Sequence, residues 1–162
     1  ILNSAGIERF KHAQMDMVRL GMGMYGLSKN MLSLQTVGSL TSVISQIKKV
    51  KKGESVGYNR TQFALRDMNV GIVPIGYADG FSRVLSNGKG HILINGTLAP
   101  VFGKVCMDMT MIDLTDVVAK EGDEVEIFGL NRPLYELAEE MDTITYEVMT
   151  SVSQRVVRLY VE

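Results

Sequence analysis

The stretch Ile92-Leu93-Ile94-Asn95-Gly96 is a short apolar run that ends in an Asn-Gly pair, and this pair tolerates the positive φ angles of a tight hairpin turn. A second such pair stands at Asn87-Gly88, and a largely β-branched run from Val70 to Ile75 ends at Gly76. Strands spaced by turns, with little helix between them, favour antiparallel sheets over a βαβ fold. We therefore expect a mainly β fold, an antiparallel β-barrel-like domain with one or two short helices.

Other segments also have the composition or alternation of strands, and they are residues 15–25, 40–50, 105–112, 123–128 and 155–161. Within residues 105–112, the side chains of Val105, Met107, Met109 and Met111 are expected to share one face. One helix is predicted to begin near Asn131, a good N-cap residue, with Pro133 in its first turn. The apolar stripe of this helix would consist of Leu134, Leu137, Ala138 and Met141.

Composition and charge exclude several classes of partner. The chain has 162 residues and a formal net charge of -1, so it has no sequence-wide basic field for nucleic acid or acidic lipid. The basic run Lys48–Lys52 is interpreted as a solvated hairpin end. No apolar run reaches the roughly 18 residues of a membrane helix. A single cysteine, Cys106, cannot form an internal disulfide, which agrees with a reducing compartment and a cytoplasmic location.

Metal and triad chemistry have little support. Cys106-Met107-Asp108 has no second cysteine and no nearby histidine, so no metal site is expected there. His12 and His91 are too isolated in the sequence to anchor a zinc site or a catalytic triad.

A glycine-rich segment, residues 21–26, matches the pattern G-x-G-x-x-G. The polar break Leu27-Ser28-Lys29-Asn30 follows it instead of a helix, which argues against a dinucleotide-binding fold. A glycine-rich backbone can still hold a phosphate through its N–H groups. Arg19 stands inside an apolar strand pattern, so its guanidinium must meet an anion or an acceptor atom, or form a structural salt bridge.

Polar groups stand beside glycines at two further places. Gly76-Tyr77-Ala78-Asp79-Gly80 precedes Arg83 and suggests a bent loop that presents a phenol and a carboxylate, although an ordinary turn has the same pattern. Tyr58 lies between Gly57 and Asn59, and Tyr146 precedes a helical turn. Each tyrosine taken alone could be a packing or surface residue.

Seven segments, taken together and in order, resemble those of the alanine racemases over essentially the whole chain. They are Leu2-Asn3-Ser4, Met17 to Gly21, Met24-Tyr25-Gly26, Gly53 to Tyr58, Pro74 to Gly80, Gly103 to Asp108 and Ile144 to Val148. The resemblance implies a two-domain enzyme with an N-terminal (β/α)₈ barrel and a C-terminal β domain. Residues 1–34 would be the last part of the barrel, and residues 35–162 would be the β domain, of the alanine racemase C-terminal type.

The resemblance also implies a role for each matching residue. Tyr58 corresponds to one of two acid/base groups, and Arg19 to the arginine that hydrogen-bonds the ring nitrogen of pyridoxal 5'-phosphate. Four residues correspond to positions around the cofactor phosphate, and they are Ser4, Gly21, Met22 and Tyr146. The backbone amide of Met107 would meet the substrate carboxylate. Four residues would line or lie near a narrow substrate entrance: Tyr77, Ile144, Arg83 and Asp79.

The implied activity is interconversion of L- and D-alanine for peptidoglycan synthesis, in a homodimer whose tyrosine reaches the opposite subunit. The lysine that would bind the cofactor as a Schiff base belongs to the barrel and is not in this chain, so the isolated chain is expected to be inactive. Lys104 departs from the family pattern, because many relatives have arginine there. Two alternatives stay open: a racemase for serine, lysine or arginine, and a β-barrel interaction module without catalysis.

Overall fold

The computed structural model describes residues 1–28 and 34–161, which fall into two compact units, Ile1–Ser39 and Leu40–Glu162. Residues 29 and 30 of the predicted polar break lie outside the described residues. The domain boundary between residues 34 and 35 stays a prediction. No helix in the described ranges is long and apolar enough to cross a membrane.

The first unit is built from short helical pieces. Helix α1 (Ser4–Arg9) begins after Asn3, whose side chain caps it by accepting a hydrogen bond from the Gly6 N–H at 3.0 Å. A 3₁₀ turn follows at Lys11–Ala13, and a second lies at Met22–Tyr25.

The strand predicted over residues 15–25 is wrong. The segment makes one parallel bridge, between Leu2 and Val18, and then enters the 3₁₀ turn at Met22–Tyr25. Gly26 ends that turn with a φ of 72°, a left-handed conformation that glycine adopts without strain. A glycine therefore ends this segment in a turn, where the apolar pattern alone suggested extension.

The described residues of the second unit contain seven strands in two antiparallel sheets, which confirms the mainly β prediction. They are β1 (Leu40–Val43), β2 (Gln46–Val50), β3 (Met68–Val73), β4 (His91–Ile94), β5 (Thr97–Pro100), β6 (Thr110–Asp113) and β7 (Glu124–Phe128). One sheet has the order β1-β7-β4-β5 and the other β2-β3-β6. A bridge between Val101 and Ile112 connects the segment after β5 to β6.

The predicted hairpin at Asn95-Gly96 is confirmed. Asn95 has a φ of 48° and Gly96 a φ of 79°, and Ile94 pairs with Thr97 across the turn. The run from Leu40 to Val50 forms two strands rather than one, and these strands belong to different sheets.

The strand predicted over residues 105–112 is only half correct. A turn precedes β6, because the Cys106 N–H donates to the Met109 carbonyl at 2.9 Å. The expected alternation also fails, since Thr110, Met111 and Ile112 are all buried between neighbouring elements. The turn leaves residues 106–109 as a loop at the end of the three-stranded sheet.

The C-terminal region has two helices, α2 (Leu134–Glu140) and α3 (Thr145–Ser151). Asn131 is not the N-cap of α2, and its backbone N–H and side-chain amide both donate to the Glu126 carboxylate at 2.9 Å. Pro133 occupies the N-cap position instead. The strand predicted over residues 155–161 is wrong as well: Leu159, Tyr160 and Val161 are more than four-fifths exposed and pair with no strand in the described part of the chain.

Candidate functional site

Tyr58 is presented by a glycine-dependent turn. Gly57 has a φ of 78°, and a Cβ at this position would lie 2.9 Å from the Met111 Cε atom. Tyr58 follows as the first residue of a short 3₁₀ turn, and 68% of the residue is exposed. Its phenol is therefore available to a ligand instead of being packed in the core.

Tyr58 and Met107 lie on one cavity of about 480 Å³. The lining comes from β2, β3, the start of β6 and the two loops at residues 56–58 and 106–109. Three of the lining residues, Val50, Val70 and Met111, also belong to a buried hydrophobic cluster. The packed core of the three-stranded sheet thus supports the floor of the cavity.

The loop that carries Met107 is joined to the loop that carries Tyr77. The Cys106 carbonyl accepts the Tyr77 N–H and the Met107 carbonyl accepts the Ala78 N–H, both at 3.0 Å. Among the described residues, no acceptor meets the Met107 N–H itself. A backbone donor beside an exposed phenol suits a small carboxylate.

Asp79 is held by an arginine that the sequence placed on a strand. Its Oδ1 atom accepts from Arg155 Nε at 2.7 Å, and its Oδ2 atom accepts from the Gly76 N–H at 2.9 Å. The same guanidinium donates to Asp108 Oδ1 at 2.6 Å. Partial burial tends to raise the pKa of the Asp79 carboxyl, but the hydrogen bonds from Arg155 and Gly76 outweigh it, and the net pKa is lowered.

Arg83 lies close to the same loops. It is exposed at the start of a 3₁₀ turn, Arg83–Leu85. Burial raises the pKa of the Cys106 thiol, and the charge of Arg83 opposes this rise without cancelling it. Cys106 therefore stays a thiol near neutral pH, which does not suit a nucleophile.

Ile144 and Tyr146 lie at the start of α3, and 64% and 43% of them are exposed. Neither lines the cavity that Tyr58 and Met107 share. The opposite end of α3 contacts the Tyr77 loop, since a Cβ at Gly80 would lie 2.6 Å from the Ser151 carbonyl oxygen. The C-terminal end of α3 therefore contacts the Tyr77 loop, whereas Ile144 and Tyr146 lie at its N-terminal end.

The first unit brings three of the predicted phosphate residues together. The Ser4 hydroxyl, which is buried, accepts the Gly21 N–H at 2.9 Å, and Met22 is buried directly after it. Arg19 is exposed, not enclosed in an apolar strand as predicted, because the strand itself is absent. Its backbone N–H donates to the Leu2 carbonyl at 2.7 Å, whereas its guanidinium has no partner within the described residues.

Sequence reasoning missed Arg155, Lys48 and Lys49. Arg155 pairs with Asp108, which is 47 positions away, and with Asp79, which is 76 positions away. No local spacing in the sequence could therefore signal it. Lys48 and Lys49 lie within β2 and line the cavity, although the basic run was interpreted as a hairpin end. Within residues 1–28 and 34–161, no group of three or more His, Cys, Asp or Glu side chains is placed to hold a metal ion.

Residues 37–160 match the sequence model of the family described as alanine racemase, C-terminal domain. The chain belongs to this family. It is 42% identical to alanine racemase 1 of Oceanobacillus iheyensis and 39% identical to alanine racemase 1 of Clostridium acetobutylicum, over 98% and 99% of its own length. It spans 45% and 44% of those relatives, so it corresponds to less than half of each.

Solved structures show the same relationship. The alanine racemase of Bartonella henselae, solved with covalently bound pyridoxal phosphate, superposes with a TM-score of 0.93 at 33% identity. This match covers 99% of the present chain and 46% of that structure. The biosynthetic alanine racemase of Pseudomonas aeruginosa gives a TM-score of 0.92 at 35% identity, over 99% of this chain and 47% of that one. The predicted fold, an alanine racemase C-terminal domain, is confirmed.

Proposed function

We propose that this chain supplies the C-terminal part of an alanine racemase that uses pyridoxal 5'-phosphate to interconvert L- and D-alanine. The observation that carries the proposal is the shared cavity of the Tyr58 phenol and the Met107 backbone. Relatives named alanine racemase, matched along nearly all of this chain, support the choice of reaction. The proposal includes a cytoplasmic location and a supply of D-alanine for peptidoglycan.

The residues of the first unit suit the cofactor chemically. The Ser4 hydroxyl accepts the Gly21 N–H and keeps its own proton, which it can donate to a phosphate oxygen. The exposed guanidinium of Arg19 can donate to the ring nitrogen. When bound, the cofactor would supply the electron withdrawal that acidifies the α-proton of the amino acid. Tyr146, in the second unit, is a further residue that the resemblance assigns to the phosphate.

Tyr58 would move a proton on one face of the substrate. Racemisation removes the α-proton from one face of a planar carbon and returns a proton to the other, so two groups on opposite sides are needed. The exposed Tyr58 hydroxyl can give a proton, and its phenolate can take one. The second group would be a lysine of the N-terminal barrel, and the phenol would act in the opposite subunit of a homodimer.

The remaining predicted residues would bind and select the substrate. The unpaired Met107 N–H would donate to the substrate carboxylate. Tyr77 and Ile144 would narrow the entrance, with Arg83 and Asp79 near them. A narrow entrance favours alanine over serine, lysine or arginine, so relative rates on these four amino acids test the substrate assignment directly.

Tyr58→Phe in the full-length protein tests the proposal, because this change removes only the hydroxyl. Loss of a positioned acid/base group should lower racemisation by about 100-fold or more. Exchange of the α-proton with solvent deuterium should persist for one enantiomer and be lost for the other, since only one face loses its proton carrier. Both quantities can be followed by NMR in D₂O.

The matched control is Tyr160→Phe, which removes the hydroxyl of a residue that is 93% exposed and outside the cavity. It should racemise alanine at the wild-type rate. If Tyr58→Phe behaves like this control, Tyr58 has no acid/base role, and a non-catalytic interaction module becomes the better description of the domain.

A further inference from the structure

We infer that Arg155 is a positioning residue that holds the Tyr77 loop (residues 76–80) and the Met107 loop (residues 106–109) in one fixed arrangement. The inference rests on the proposed function, in which these two loops present the substrate-facing groups. Arg155 does not line the cavity that Tyr58 and Met107 share; it acts through the two carboxylates that it joins.

The geometry of the guanidinium carries this inference. Nε donates to Asp79 in one loop at 2.7 Å, and a terminal nitrogen donates to Asp108 in the other at 2.6 Å. A planar guanidinium has several donors in fixed directions, so it can hold two carboxylates at a set separation, whereas a lysine ammonium is a single point of charge. Two loops tied to one rigid group cannot slide past each other without losing a charged hydrogen bond.

Each carboxylate transmits this restraint to a group of the site. Asp79 also accepts the Gly76 N–H, which fixes the start of the Tyr77 loop, and its carbonyl accepts the Ser153 N–H at 3.1 Å. Asp108 directly follows Met107, whose N–H is the proposed donor to the substrate carboxylate. A displaced Asp108 would therefore move that N–H.

The exposure of the three side chains fits a positioning role better than a role in core stability. Asp79 is 15% exposed, Arg155 46% and Asp108 57%, so the group lies at the surface beside the site. Exposed ion pairs contribute little to the free energy of folding. Loss of this one should therefore leave the protein folded and change mainly how the two loops are held.

The test compares Arg155→Met with wild type in the full-length protein, with KM and kcat for alanine measured separately. A displacement near 1 Å of a binding group can cost up to about 100-fold, so we expect KM to rise roughly 10-fold or more and kcat to fall less. Arg155→Lys keeps the charge but reaches one carboxylate at a time, and should give an intermediate KM. The control Arg66→Met removes a surface partner of Asp116 outside the site and should leave KM unchanged.

A second readout does not depend on turnover. The Tyr77 and Ala78 N–H groups should exchange with deuterium faster in Arg155→Met than in wild type, because their hydrogen bonds join the two loops. Asp108→Asn should raise KM in the wild-type background and add little in the Arg155→Met background, since both changes break the same link.

The outcomes separate the two ideas. A wild-type protein that racemises no amino acid overturns the proposed function, and the exchange rates at Tyr77 and Ala78 then decide the role of Arg155. An active wild type with unchanged KM in Arg155→Met overturns the positioning role alone. A lower melting temperature with unchanged KM in the folded fraction of either Arg155 variant also overturns it, because that result describes a purely structural pair.

Discussion

Gly76 stands where two backbones of the candidate site touch. A Cβ at this position would lie 2.3 Å from the Cys106 carbonyl oxygen and 2.4 Å from that of Met107. Both atoms belong to the main chain, so neither can rotate away as a side chain would. The absence of a side chain at one residue therefore sets how close the Tyr77 loop comes to the Met107 loop.

Gly76→Ala should separate these loops. Forcing an extra carbon into a closed contact costs about 1–3 kcal/mol, and we expect a lower midpoint of chemical denaturation together with a higher KM for alanine. Gly38→Ala is the matched control, because a Cβ at Gly38 meets no atom within 4 Å. Equal denaturation midpoints for the two variants would show that the close contact at Gly76 is absent.

The lowered pKa of Asp79 predicts a pH dependence of stability. A carboxyl whose folded pKa lies below its unfolded value stabilises the fold above the unfolded pKa, and this stability is lost as pH falls through the folded pKa. Asp79→Asn should therefore be less stable than wild type at pH 7, by about 1 kcal/mol for a partly exposed pair. The difference should vanish in acid, and urea denaturation at several pH values measures it. A difference that stays constant with pH would contradict this account.

At the level of elements, a buried arginine attaches α2 to the four-stranded sheet. Arg132 is 1% exposed, and its guanidinium donates to the carbonyls of His91 in β4 and Ile127 in β7. A terminal nitrogen also donates to Glu140 at the end of α2, at 2.7 Å. The Arg132 side chain thus connects strands β4 and β7 with helix α2.

Glu140→Ala should destabilise the fold strongly, because it leaves the buried Arg132 charge without its carboxylate. Breaking a buried pair in this way costs about 3–5 kcal/mol. Lys51→Ala, which removes an exposed partner of Asp67, should cost about 0.5 kcal/mol or less. Denaturation of the two variants side by side measures the contrast, and similar losses would refute it.

Elements with local signals were predictable, and those set by distant partners were not. The Asn95-Gly96 hairpin follows from two residues and their positive φ angles. Asn131 has the chemistry of an N-cap, but its side-chain amide donates to the Glu126 carboxylate and α2 begins only after Pro133. Residues 155–161 alternate like a strand, yet an alternating segment needs a neighbouring edge, and the guanidinium of Arg155 is directed to two loops instead.

The sequence indicated some residues of the candidate site but not all of them. The resemblance to alanine racemases indicated Tyr58 and Met107, and the structure places both on one cavity. Ile144 and Tyr146 were named with them but lie elsewhere on α3. Arg155 has no counterpart in any local pattern, because its contacts depend on how remote segments meet in the folded chain.

At the scale of the whole molecule, each unit exposes a polar residue to which the resemblance assigns a role, Arg19 in one and Tyr58 in the other. If Tyr58 serves the opposite subunit of a dimer, two inactive full-length variants should complement each other. A heterodimer of Tyr58→Phe and Arg19→Glu would contain one site with both native residues. Random mixing makes about half of the dimers heterodimers, so about a quarter of wild-type activity should return.

The measurement is racemase activity after equal amounts of the two variants are dissociated and reassembled together. Each variant reassembled alone is the control and should stay inactive. No recovery on mixing would indicate that Tyr58 acts within its own subunit, because neither site of such a heterodimer would then be intact.

Two features constrain how such domains can be recombined. They are the backbone contact at Gly76 and the hydrogen bonds from Arg155 to both loops. Segments 76–80 and 106–108 contact each other and residue 155, although the chain separates them widely. A chimera that takes one segment from a relative without the other two would combine surfaces that fit different neighbours. Protein engineers who move this part of the fold between relatives should exchange all three together.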